Sequence, residues 1–465
     1  MQLLKNKHLK LILSVSNAAF FILSSGIPAH AFTPKFDLGF ENHLSRSTVD
    51  PAEFPIVSFG TTFNTDNDEL LNTSDVEYHG DLHFKISPTH PKAYALSSKN
   101  FYFGEKDQSE SSPLRFSYGR RLINWSKIDE LWQLGAFEPL DSWDRLRSFS
   151  QGLTGVFAYT ETRHFNYRAF FSYLFMPEVS PNIVVEDDQF VNAHPQAIST
   201  VPQSFNLLNR PTPLGYHLDI PPISKIIFRP SVAFMIETKH EYPVNVKFAY
   251  GFMPLNYFPV ALQASLAIPI DQIVVELKPR LINHSLYNGE IAFEASDSWN
   301  LGFTVLVDQP MADAFPADYT TTPLSTAYHL SPWAQFQAGS FKLLVTQLWT
   351  AGGLDADVGP YANPGQSVFS SRLLYRNATQ VAIRSDLADP SPHHPTLQLK
   401  YVHDYSVLAD WIAADFFYSI EPHLFFVIGG DIISARRDVS PDRGAEFLAD
   451  MRAIDRVRLG VNYAF

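Results

Sequence analysis

Twelve consecutive residues, Val76 to Ser87, alternate between two kinds of side chain without an exception. Val76, Tyr78, Gly80, Leu82, Phe84 and Ile86 are separated by Glu77, His79, Asp81, His83, Lys85 and Ser87. Successive Cβ atoms of a strand point to opposite faces, so this period places one face in an apolar medium and the other in water. At about 3.3 Å per residue the segment exceeds the 9–11 residues that a tilted strand needs to cross a bilayer.

The same rhythm returns along the chain. Phe165, Tyr167, Ala169, Phe171, Tyr173 and Phe175 share one face, and Phe228, Val232, Phe234 and Ile236 share another. Val244 to Phe252, Phe258 to Ile268, Val275 to Leu281 and Trp299 to Val307 repeat the pattern, with tight connections such as Pro254-Leu255-Asn256. That arrangement predicts an antiparallel meander. Its apolar stripes fit either the dry core of a β-sandwich or the lipid face of a membrane barrel. Strands of about ten to twelve residues exceed the usual five or six and favour the barrel. Tyr and Phe near many strand ends, 20 and 38 in all, fit an interfacial girdle.

The N-terminus points the same way. Lys5, Lys7 and Lys10 precede a short apolar core from Leu11 to Leu23, and Ala29-His30-Ala31 offers a small-residue cleavage site. Residues 1–31 are thus expected to be a secretory signal peptide, leaving 32–465 as the barrel domain. Removing three lysines and no acid takes the formal charge from −13 to −16. With 0 cysteines, disulfides, thiolate metal sites and a cysteine nucleophile are excluded.

The chain ends Arg456-Val457-Arg458-Leu459-Gly460-Val461-Asn462-Tyr463-Ala464-Phe465. Val457, Leu459, Val461, Tyr463 and Phe465 form an alternating stripe that ends on an aromatic residue. This resembles the terminal strand of Gram-negative outer-membrane β-barrel proteins. The resemblance implies the outer membrane as location, recognition of those five residues by the barrel-assembly machinery, and contact with outer-membrane lipid and lipopolysaccharide. The expected fold is all-β: a transmembrane, antiparallel, up-and-down barrel of about 16–18 strands with long extracellular loops. Counting back from Phe465 puts 434–455 outside and Ser419 to Pro422 at a periplasmic turn. The same count puts 351–366 on the periplasmic side, against the short-inside, long-outside rule, so one strand near Asn377 is split or one is missed. Three connections stand out: 187–225, 309–327, and Ser126 to Phe149. The last carries Ile128, Leu131, Trp132, Trp143 and Leu146, and packing of its Trp residues on the barrel rim is favoured over an amphipathic helix in the lumen.

Candidate chemistry is sparse. His284 and Ser285 faintly resemble the histidine-serine-asparagine stretch of outer-membrane phospholipases, but adjacent residues on a strand face opposite ways, and the base must reach the nucleophile. His79 and His83 lie about 13 Å apart along one face, too far for one metal. His393-His394 between prolines is a poor metal signature, and Asn64, Asp66 and Asp68 lack the glycine of a calcium loop. No enzyme activity, cofactor or metal is expected. An acidic chain without a basic run does not predict nucleic-acid binding.

The faces opposite the apolar stripes are more informative. They carry Lys85, Arg115, Arg168, Arg229, Lys247, Lys278, Arg280, Lys342, Lys400, Arg456 and Arg458, against Glu77, Asp81, Glu237, Glu276 and Asp308. The excess acid then falls in loops. A lumen lined with one sign of charge selects solutes by charge. The expected function is a porin-like channel for small polar or anionic solutes, with 187–225 or 126–149 as its constriction. The alternative is a barrel-anchored adhesin or structural envelope protein acting through its surface loops. The sequence leaves the oligomeric state open.

Overall fold

The computed structural model describes residues 35–45, 52–64, 76–105, 113–180, 183–186, 188–192, 204–239, 243–267, 272–311, 319–321, 324–354, 373–386, 395–421, 423–435, 447–451 and 455–464. The proposed signal peptide and Phe465 lie outside them.

Eighteen strands build one closed sheet. They are β1 (Lys35–Ser45), β2 (Ala52–Asn64), β3 (Val76–Ile86), β4 (Tyr94–Ser97 continued by Phe101–Glu105), β5 (Leu114–Arg121), β6 (Leu153–Glu161), β7 (Phe165–Leu174), β8 (Phe228–Thr238) and β9 (Val244–Pro254). The second half is β10 (Asn283–Ser296), β11 (Trp299–Pro310), β12 (Leu324–Ala338), β13 (Phe341–Leu354), β14 (Asn377–Asp386), β15 (Thr396–Asp404), β16 (Ala409–Glu421), β17 (Leu424–Ala435) and β18 (Arg456–Ala464). Each strand pairs antiparallel with its neighbour in sequence. β1 pairs with β18 from Asp37↔Ala464 to Ser45↔Arg456, which closes the ring and leaves no edge. The break in β4 has a local cause: the Asp81 carboxylate on β3 accepts the Lys99 amide at 2.6 Å and the Asn100 amide at 3.2 Å.

The two faces of the wall are sorted by chemistry. On β17, Ile428 and Ile432 are 53 % and 60 % exposed, whereas the inward Val427 and Ile433 are 4 % and 5 % exposed. Phe40, Phe103, Tyr118, Phe171, Phe248, Phe303, Tyr328, Trp349 and Ile412 are likewise exposed all around the outside. An outer belt of large apolar side chains on a closed sheet is a surface made for lipid.

The strand ends assign the two rims. At the rim where Ala464 ends, five connections have two to five residues, 162–164, 239–243, 297–298, 339–340 and 422–423, and three are longer, 65–75, 106–113 and 387–395. At the other rim run 122–152, 175–227, 255–282, 311–323, 355–376 and 436–455. Short turns mark the periplasmic side and long loops the outside. β14 is unbroken, pairing Trp349↔Asn377 on one side and Ala378↔Asp404 on the other. The connection 355–376 therefore leaves from the outer rim, which corrects the periplasmic placement of 351–366.

Two expected barrel strands are corrected as well. Val260–Ala267 and Gln272–Pro279 pair with each other rather than with the barrel. The second pairs in parallel with Arg210–Leu218, and the first with Thr320–Thr321. With Ser204–Leu207 they form a separate five-stranded sheet drawn from three outer connections. Alternation reports a half-covered strand but not which sheet covers it. Here Leu277, Ala261 and Tyr216 are the buried positions.

Candidate functional site

The connection 122–152 does not stay at the rim. It folds into the barrel, correcting the expectation that its Trp residues pack there. Its α-helix, α1 (Lys127–Trp132), has only six residues, too few to stand alone in water. Ser126 caps its N-terminus, Gln133 ends it in a left-handed conformation, and Ile128, Leu131 and Trp132 are buried. Tertiary packing therefore holds it. Trp125, Trp132 and Phe137 join the inward Met235, Ala249, Met253, Leu286, Leu306, Trp333 and Leu348 in one apolar cluster. Gly251 provides room: a Cβ there would sit 2.9 Å from the Phe137 ring.

Polar contacts pin the same connection to two walls. On the β9–β12 side, Ser126 donates to Asn288 at 2.8 Å, Trp132 Nε1 donates to Ser331 at 3.1 Å, and the Lys127 amide donates at 3.3 Å to Glu290, which Lys247 pairs with at 3.0 Å from the neighbouring strand. On the β16–β18 side the contacts are ionic. Arg456 lies 2.9 Å from Asp144 and 2.6 Å from Asp431, and Arg147 lies 3.1 Å from Asp431. Asp415 pairs with both Arg147 and Arg458, and Arg458 also lies 3.6 Å from Glu41. Burial alone would raise the Asp144 carboxyl, but Arg456, His43 and Arg147 together outweigh it and hold it well below the carboxylate range. Burial pushes Glu138 well above its ordinary value, although the Ile123 amide donates to it at 2.8 Å. The connection is a bridge across the barrel, latched beside the closing seam.

On the outer side of the bridge the interior is apolar. Trp132 meets Tyr375 edge-on at 5.8 Å, and Tyr375 meets Phe447 in the same way at 5.8 Å. α2 (Phe447–Met451) adds Leu448 and Met451 to that packing. On the periplasmic side lies a cavity of about 490 Å³ between the bridge and the β12–β16 wall. Lys127, Arg147, Lys342, Arg384 and Lys400 line it, with Glu130 and Asp415 as its acids and Gln335, Gln398 and Trp411 among the rest.

The cations singled out from sequence are distributed unevenly. Lys342 and Lys400 line the cavity, and Lys400 Nζ lies 4.8 Å from the Trp411 ring centre. Arg456 and Arg458 stand in the seam network. Arg115 pairs with Glu161 at 3.1 Å, and both Arg115 and Arg168 lie over Tyr159. Lys85 lies over Trp143 and Phe149 of the bridge. Lys247 is neutralised by Glu290, and Arg229 donates to the Lys225 carbonyl at 3.1 Å. Lys278 and Arg280 are corrected: neither is on a barrel strand. Lys278 pairs with Asp219 at 2.8 Å, Arg280 follows the same outer ribbon, and Glu276 there accepts from Tyr319.

The sequence reading missed Arg147, Asp144, Asp415, Asp431 and Arg384. Only Arg384 carried a signal, since it alternates with Val381, Ile383 and Ser385. His284 is buried against Asp308 at 2.7 Å on the inner face, and Ser285 takes the opposite parity on β10. His393-His394, Asp66 and Asp68 lie outside the described residues. No group of metal-ligating side chains occurs among the described residues.

In β18, Val457, Leu459 and Tyr463 are exposed on the outer face. A sheet closed on itself, an apolar outer belt, short turns at one rim and long connections at the other leave one environment. The chain is an outer-membrane β-barrel. No protein-family model matches this barrel, and no curated protein matches it. Among solved structures it is similar to Pseudomonas aeruginosa OccK2 (OpdF), with a TM-score of 0.48, 9 % identity, and 94 % of this chain and 98 % of that one covered. It is similar to Acinetobacter baumannii OccAB3 with a TM-score of 0.47, 9 % identity and coverage of 94 % and 99 %. For Salmonella typhi OmpF in complex with daunomycin the TM-score is 0.40, with 8 % identity and coverage of 94 % and 99 %.

Proposed function

We propose that this barrel is a channel for the passive passage of small polar or anionic solutes, with the connection 122–152 as its constriction. The observation that carries the reading is the cavity beneath the bridge, whose wall presents Lys342, Arg384 and Lys400 to the interior. Cations in a low-dielectric passage focus the field and raise the local concentration of anions. The bridge narrows the route without filling the periplasmic half. Apolar packing around Tyr375 and Phe447 makes the outer entrance the tighter part of the path. Outer-membrane lipid and lipopolysaccharide are the medium of the belt, and the β18 stripe is the assembly signal read by the barrel-assembly machinery.

Swelling of liposomes carrying the folded barrel tests this directly. Size-limited entry of small sugars, with organic anions entering faster than cations of equal size, is the expected result. No entry through a barrel shown to be folded by its heat-modifiable migration contradicts it. One observation favours a second reading, in which the barrel anchors a contact surface. The outer five-stranded sheet projects a hairpin whose tip, Leu208, is 90 % exposed at a φ of 51°. Retained cell or matrix adhesion by an impermeable barrel would favour that role.

A further inference from the structure

Most inward cations of the barrel meet a carboxylate or an aromatic ring, Lys400 over Trp411 among them, but one group gathers cations without matching acid. Lys342 on β13 and Arg384 on β14 are direct cross-strand partners, and Lys400 on β15 stands opposite Ala382, one row away. Like charges placed directly opposite each other on a sheet destabilise it. The nearest ion pair is weak: Arg384 Nε lies 3.9 Å from Asp386, with both side chains well exposed. Among the described residues no ion pair reaches Lys342 or Lys400. Gln398 faces Arg384 across the next pair of strands, and Gln335 lines the same cavity. Of the five cations that line the cavity, Lys127 pairs with Glu130 and Arg147 with Asp415, which leaves Lys342, Arg384 and Lys400 with Asp386 beside them, in a space of about 490 Å³ that suits a small solute.

This surplus of two positive charges matches a doubly charged group better than a singly charged one. A phosphate group carries about −1.5 to −2 charges near neutral pH and three strong acceptor oxygens. The guanidinium fork of Arg384 suits two of those oxygens, and an ammonium serves as a point charge for another. The amides of Gln335 and Gln398 are placed to donate to hydroxyls of an attached polyol. We propose that Lys342, Arg384 and Lys400 form a binding site for the phosphate group of a small solute, free or as a monoester. This deepens the channel reading and rests on it for access to the site.

The test is calorimetric titration of the folded barrel in a maltoside detergent with inorganic phosphate, glycerol phosphate and acetate. Both phosphates are expected to bind at least about tenfold more tightly than acetate. Arg384→Gln and, in parallel, Lys342→Gln each weaken phosphate about tenfold, while Arg121→Gln, on the far wall beside Glu77, leaves it unchanged. Tighter glycerol phosphate identifies the ester as ligand, and tighter inorganic phosphate identifies the free ion. Equal affinity for acetate, or no loss in either variant that still migrates as a folded barrel, overturns the proposal. Equal loss with Arg121→Gln also overturns it. Binding is measured without conduction, so a barrel that passes anions but does not prefer phosphate loses only this inference. A barrel that binds phosphate but passes nothing loses only the channel.

Discussion

The two sides of the interior handle charge in opposite ways. Beside the closing seam, Arg147, Arg456 and Arg458 are matched by Asp144, Asp415, Asp431 and Glu41, with Arg456 and Asp431 fully buried. Across the cavity, Lys342, Arg384 and Lys400 stand with one distant carboxylate between them. The first arrangement holds a part in place, because a buried ion pair is costly to break once its partners have lost water. The second leaves charge unspent and available to a solute. In the proposed channel the neutralised network holds the structure and the uncompensated one meets the solute.

The sharpest way to break that contrast is at the seam. Arg456→Leu leaves Asp144 and Asp431 without their shared partner and is expected to cost about 3–5 kcal/mol. Arg384→Gln on the other side is expected to change stability by less than about 0.5 kcal/mol. Urea titration of the folded, heat-modifiable form measures both, and equal costs would erase the distinction. Next is Trp132→Ala, which empties the centre of the bridge packing and is expected to cost about 3–5 kcal/mol if the site does not collapse. Its second effect is a larger single-channel conductance, because Tyr375 loses its edge-on partner; an unchanged conductance would mean that the route runs elsewhere.

The bridge also carries a pH dependence of definite sign. Burial raises the Glu138 carboxyl above its ordinary value, so the folded form holds its proton to higher pH than the unfolded chain. Between those two values the folded state binds more protons, and stability falls as pH rises. The penalty is absent below about pH 4.5 and is complete above the raised folded value. Protection of the Ile123 amide against hydrogen exchange should therefore fall from pH 5 to pH 8 after correction for intrinsic rates. Glu138→Gln, which keeps an acceptor for that amide, should flatten the profile; an unchanged profile would assign the dependence to another group. The smallest effect expected on folding is from Lys342→Gln and Lys400→Gln, each within about 0.5 kcal/mol of the parent. These two should nevertheless lower anion preference in conduction, which separates selectivity from stability.

Period-two alternation made the barrel legible because lipid and water impose it on every spanning strand. The C-terminal stripe added the location. Alternation cannot distinguish a barrel strand from an outer ribbon with one covered face, which is why Val260–Ala267 and Gln272–Pro279 were misplaced and took Lys278 and Arg280 with them. Lys342 and Lys400 were readable from their parity. Their difference from Arg456 and Arg458 was not, because it depends on Asp415 and Asp431 arriving from other strands. The bridge was hardest to place. Trp125, Trp132 and Trp143 announce a buried segment, but the partners that decide where it is buried, Asn288, Ser331 and Asp431, lie 162 to 284 residues away along the chain.

The most direct measurement is the reversal potential of the reconstituted barrel across a tenfold potassium chloride gradient, for the parent and for the triple variant Lys342→Gln, Arg384→Gln, Lys400→Gln. The uncompensated wall predicts an anion-selective potential in the parent that moves toward zero in the variant. A cation-selective parent, or a variant with the same potential as the parent, would contradict it.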